Sequence, residues 1–131
     1  MNPLAREWLY NAEGDCGTAG REMRARKTPN FNAACFHAQQ CAEKYLKAFL
    51  QEQGIPFGKT HNLVALLDQA LAAVPSLELL RPDLQRLNLY AVQFRYPGEC
   101  ADKPAAREAV SICSRVREAL RTTLRLRPPR G

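Results

Sequence analysis

The chain has no apolar run approaching the ~20 residues that a membrane-spanning helix needs. Its first residues, Met1-Asn2-Pro3-Leu4-Ala5-Arg6-Glu7, lack the basic stretch and apolar core of a signal peptide. Both absences predict a cytoplasmic protein with no membrane partner. Strand-like alternation of apolar and polar residues is missing, as are internal repeats and low-complexity runs. The cysteines Cys16, Cys35, Cys41, Cys100 and Cys113 are odd in number and contain no C-x-x-C pair, which argues against a disulfide framework or a zinc site. They read as buried free thiols that pack like small apolar residues. There is no phosphate-cradling glycine loop, no H-E-x-x-H and no serine nucleophile motif. Paired carboxylates of the di-iron type are absent too. No cofactor is expected.

What remains is ordinary for a globular domain. With 131 residues, 46% of them hydrophobic and 24% charged, the chain can bury a core without crosslinks or metal. A net charge of +6, supplied mostly by arginine, permits an anionic partner without demanding one.

One stretch organises the rest. Residues 32–50 hold neither proline nor glycine and are rich in helix formers. Their apolar positions step through Phe31, Ala34/Cys35, Ala38, Cys41/Ala42, Tyr45 and Phe49, in threes and fours, as on one side of a helix. His37, Gln40, Lys44, Lys47 and Gln51 repeat the rhythm on another side. Around this second helix, capped by Asn30 and stopped by Gly54, the chain reads as further helices. The first spans about residues 3–23, with Asn2 as cap and Pro3 in its first turn. Gly14, Gly17 and Gly20 weaken it or serve close packing. A third begins after Thr60 or Asn62 and is ended by Pro75; residues 76–80 form a helical turn. A fourth covers about 82–94, with a second stripe through Arg81, Gln85, Asn88, Val92 and Arg95, and is broken by Tyr96-Pro97-Gly98. A fifth runs from about 104 to 126, with Asp102 as cap. The expected fold is an all-α, antiparallel up-and-down bundle of four long helices plus short helical turns over residues 1–126, followed by a disordered basic tail, 127–131.

Four signatures in order then resemble the HEPN domain family. They are Trp8 with Ala12-Glu13-Gly14-Asp15; Ala34-x-x-His37-Ala38-Gln39-Gln40-x-Ala42-Glu43-Lys44-x-Leu46-Lys47-Ala48; Thr60-His61-Asn62-Leu63; and Arg95-Tyr96-Pro97. The resemblance implies a small helical bundle that forms homodimers and works beside a minimal nucleotidyltransferase. It also implies links to nucleotide binding and, in some members, to RNA-cleaving toxins. Those toxins use an arginine, then four to six intervening residues, then a histidine. No arginine stands that far before His37 or His61, and none of the residues after Arg95 is a histidine. A non-catalytic member is therefore expected, with a degenerate ribonuclease or a purely structural helix-interaction module as the alternatives.

The candidate nucleotide- or partner-binding residues are His37, Gln40, Lys44, Lys47, His61, Arg95 and Tyr96. Imidazole, amide, ammonium and guanidinium groups together suit phosphates and base edges. Glu43 competes for Lys47 at i,i+4. For RNA the one candidate patch is Arg115, Arg117, Arg121, Arg125, Arg127 and Arg130, read as a solvated face because no aromatic is interleaved. Phe36, Leu46, Leu89 and Val92, apolar beyond the core stripes, are expected to be exposed and covered by a second copy.

Overall fold

Three asparagines and an aspartate start four of the five α-helices of the computed structural model, which describes residues 1–94 and 96–126. The elements are α1 (Pro3–Arg24), α2 (Phe31–Glu52), α3 (Leu63–Ala70), a 3-10 turn (Pro75–Leu80), α4 (Arg81–Gln93) and α5 (Lys103–Thr123), with no strand among the described residues. The Asn2 side chain accepts from the Leu4 amide at 2.8 Å, Asn30 from Ala33 at 2.9 Å and Asp102 from Ala105 at 2.9 Å. Between Thr60 and Asn62 the structure selects Asn62 as the cap of α3; it accepts from both Val64 and Ala65. α4 has no side-chain cap and continues directly out of the 3-10 turn. Residues 127–131, expected to be a disordered tail, and Arg95 lie outside the described residues.

The helix ends follow from local chemistry. Gly54 takes φ +69°, the Ile55 amide donates to Leu50 and the Gly54 amide to Gln51, which closes α2 in a Schellman turn. α3 is shorter than expected, ending at Ala70. Pro75 holds Val74 in an extended conformation (φ −136°, ψ 88°), so the chain must leave the helix before it.

Neighbouring pairs fix the helix directions. Asp15 meets His37 and Lys44 while Asn2 meets Glu52, so α1 and α2 are antiparallel. Asn32 meets Ala101 and Tyr45 meets Arg121, so α5 runs with α2. Asp83 meets Arg115 and Tyr90 meets Glu108, so α4 opposes α5. The result is the up-and-down bundle, with α4 the shortest of its four main helices and α3 a short link.

α2 is the axis of the fold, packed by α1, α3, α4 and α5. This corrects the reading of Leu46, which is fully buried among Tyr45, Phe49, Leu50 and the leucines of α3 and α4 rather than exposed. Phe36, Leu89 and Val92 are exposed as expected. The α1 glycines are not shown to serve close helix packing: a Cβ at Gly14 meets nothing, and at Gly17 and Gly20 the nearest atoms are the side chains of Arg21 and Arg24 on the same helix. No helix among the described residues is long and apolar enough to cross a membrane.

Candidate functional site

The polar residues of α2 stand in three different surroundings. His37 and Lys44 lie on the side that packs against α1, and both engage the buried Asp15. His37 Nδ1 is 2.8 Å from one carboxylate oxygen, and Lys44 Nζ donates to the other at 2.6 Å. Facing an ionised carboxylate, the His37 Nδ1 is the nitrogen that carries the proton.

Lys47 is not on a solvated face. It is buried, donates to Glu43 at 3.0 Å and lies 5.3 Å from the centre of the Trp8 ring. Trp8 in turn packs edge-on to Phe57 in the loop after α2. The anticipated Glu43–Lys47 pair is thus present, and it is interior, so it removes Lys47 from the set of groups a ligand can meet.

Gln40 and His61 belong to the third setting. They line a groove of about 720 Å³ between α2 and α4. Its polar side is Asn32, Gln39, Gln40, His61, Asn62 and Asn88; its apolar side includes Cys35, Phe36, Ala91, Val92 and Phe94. A hydrogen-bonded chain leads inward from it. Gln40 Nε2 donates to Gln39 Oε1 at 2.7 Å, and Gln39 Nε2 donates to the His61 carbonyl at 3.1 Å and to Glu43 at 3.4 Å. Glu43 then accepts from Lys47. His61 Nδ1 is 3.0 Å from Glu43, although the ring itself is exposed. The network orients the amides, since each nitrogen faces an oxygen. Asn88 performs a parallel task, accepting from the Leu63 amide and donating to Asn62, which ties α4 to the start of α3.

Tyr96 is exposed and is not among the groove-lining residues; Arg95, its expected companion, lies outside the described residues. Of the seven sequence candidates, the structure brings Gln40 and His61 together, pairs His37 with Lys44 elsewhere, and buries Lys47. Sequence reasoning missed Gln39 and Asn62 as groove residues. Asn88 and Val92 were visible as the second stripe of the fourth helix.

At the arginine-rich end of α5, Arg115 and Arg125 are exposed as expected, Arg117 and Arg121 are partly buried rather than solvated, and Arg127 and Arg130 lie outside the described residues. Arg117 makes a two-pronged ion pair to Glu13 of α1, with Nε–Oε2 at 2.6 Å, and Glu13 also accepts from the Tyr45 hydroxyl. Arg121 reaches the same Tyr45 hydroxyl, and Arg115 pairs with Asp83. The Arg117 guanidinium holds the Glu13 carboxyl below its ordinary range, helped by Tyr45 and opposed by burial. Burial and the Glu13 charge push the Tyr45 hydroxyl up, so it remains a donor.

A family model described as HEPN domain matches residues 5–123. Among solved structures, the crystal structure of ST0689, an archaeal HEPN homologue, is similar at 24% identity, with 95% of this chain and 99% of that chain covered and a TM-score of 0.70. At that identity the likeness speaks for the fold. Curated proteins yield no match.

Proposed function

The chain belongs to the HEPN domain family, and from that premise we propose that it is a non-catalytic member that binds a nucleotide in the α2–α4 groove and pairs with a second copy or with a separate minimal nucleotidyltransferase subunit. One observation carries this reading: the groove combines a wall of oriented amides and an imidazole with an exposed aromatic ring, Phe36, at its side. Amides that cannot rotate freely match the donor and acceptor edge of a base, and a ring supplies a stacking surface. The basic net charge favours approach of an anion over the whole surface. Catalysis is not part of the reading. The arginine–histidine spacing of the family's ribonucleases is missing from the sequence, and both histidines are already engaged by carboxylates.

A second reading rests on the exposed Phe36, Leu89 and Val92, of which Phe36 and Val92 line the same groove. A partner helix laid along them buries apolar surface without any nucleotide. One experiment separates the two. Melting temperature is followed while ATP, GTP, CTP or UTP is titrated into the parent, Gln40→Ala and Phe36→Asp proteins. A ligand that binds only the folded state raises the midpoint. A rise in the parent that Gln40→Ala diminishes supports the nucleotide groove. No rise with any nucleotide, combined with loss of self-association in Phe36→Asp by sedimentation, refutes it in favour of a helix-interaction surface.

A further inference from the structure

Three thiols from three different helices meet inside the bundle. Cys16 comes from α1, Cys41 from α2 and Cys113 from α5, and their Sγ atoms all lie within 4.8 Å of one another. Cys41 and Cys113 are buried, while Cys16 is partly open to solvent. The spacing that argued against a zinc site in the sequence concerns ligands delivered by one short loop. Here packing does what a loop does elsewhere, because antiparallel α1 and parallel α5 bring residues 16 and 113 to the same level of α2 as residue 41.

We propose that Cys16, Cys41 and Cys113 form a three-thiolate site for a soft divalent cation of the zinc class, with the fourth position on the Cys16 side open to water. The distances fit. Sulfurs at ~2.3 Å from a tetrahedral zinc stand about 3.8 Å apart, so a set already within 4.8 Å closes by at most roughly 0.6 Å per sulfur. The donor chemistry fits as well. Three thiolates around a divalent ion make a complex of charge −1, and the thiol protons leave for solvent as the ion binds. Thiolate donors select zinc and its heavier congeners over hard cations such as magnesium.

The test uses the full chain, freshly reduced and then freed of reductant without air. Cadmium and zinc are added separately. Cadmium binding is read from the sulfur-to-metal charge-transfer absorbance, zinc from competition with a chromophoric chelator, and both from native mass spectrometry. The expected result is one ion per chain, protons released on binding, and a raised melting temperature. Cys16→Ser, the most exposed of the three, loses the absorbance band and weakens binding at least tenfold. Cys35→Ser and Cys100→Ser bind as the parent does. Circular dichroism establishes that Cys16→Ser is folded; if it is not, Cys113→Ala takes its place. The proposal is overturned if the reduced parent takes up no ion at micromolar metal, if Cys16→Ser binds as tightly as the parent, or if Cys100→Ser removes the binding.

Discussion

Lys47→Met tests whether the central helix is held by an interior ion pair. The substitution keeps the apolar stem and removes only the ammonium group. In the parent, Lys47 Nζ lies 3.0 Å from Glu43 Oε2, with side chains 5% and 4% exposed. Removing one member of a buried pair costs about 3–5 kcal/mol, because the other charge stays in the interior uncompensated. Glu43 retains two partners, Gln39 Nε2 at 3.4 Å and His61 Nδ1 at 3.0 Å. The His61 side chain is 74% exposed, so solvent weakens its pull. The expected loss therefore falls at the lower end, about 3 kcal/mol. Glu43→Leu should cost a similar amount by orphaning Lys47 against the Trp8 ring. The double variant Glu43→Leu with Lys47→Met, which leaves no charge, should return to within about 1 kcal/mol of the parent. Urea unfolding of the four proteins, followed by circular dichroism, completes the cycle, and its coupling should be at least about 2 kcal/mol. A loss below about 1 kcal/mol in Lys47→Met, or strict additivity, would refute the interior pair and return Lys47 to the solvent.

Two further outcomes follow from the same interior. Gly14 is exposed on α1 and a Cβ there meets nothing, so Gly14→Ala should stabilise the protein by about 0.5–1 kcal/mol by urea unfolding, and a loss of stability would show that the glycine is needed. Because Arg117 and Tyr45 hold the Glu13 carboxyl below its ordinary 4.5, the folded state keeps that charge after the unfolded state has taken up a proton. The stabilisation is complete above pH 4.5 and is lost as the pH falls through the lowered value. Melting temperature between about pH 3 and 6 should thus fall more steeply for the parent than for Glu13→Gln, and parallel curves would contradict the pairing.

Much of the bundle was legible because its signals are local. Asn2, Asn30, Asn62 and Asp102 each precede an apolar period, and each caps a helix with its own side chain. Gly54 and Pro75 stop helices for reasons of backbone geometry that need no knowledge of neighbours. Leu46 was misread because a stripe on one helix indicates which side is most apolar, not how many sides are covered. α2 is surrounded, so a residue between its stripes is buried too.

The site was less legible, because its polar residues are sorted by partners on other helices. His37, Gln40, Lys44 and Lys47 share one rhythm on α2, yet Asp15 of α1 claims His37 and Lys44, while the Trp8 ring covers Lys47. The same long-range logic turns Arg117 and Arg121 of α5 toward Glu13 and Tyr45, residues roughly seventy to a hundred positions away in the chain. The consequence bears on the proposed nucleotide. Lys44 and Lys47 are paired with Asp15 and Glu43 and neither lines the groove, whose described walls offer amides and an imidazole. Glu43 orders Gln39, Gln39 orders Gln40, and with Gln40 Nε2 directed to Gln39 its Oε1 is turned the other way. A base edge that donates to that oxygen would gain more from the groove than a phosphate would. On the proposed reading, nucleosides should then bind nearly as well as their triphosphates, and competition between the two at matched concentration measures it. A strong preference for the triphosphate would instead place the binding determinant on a cation outside these walls.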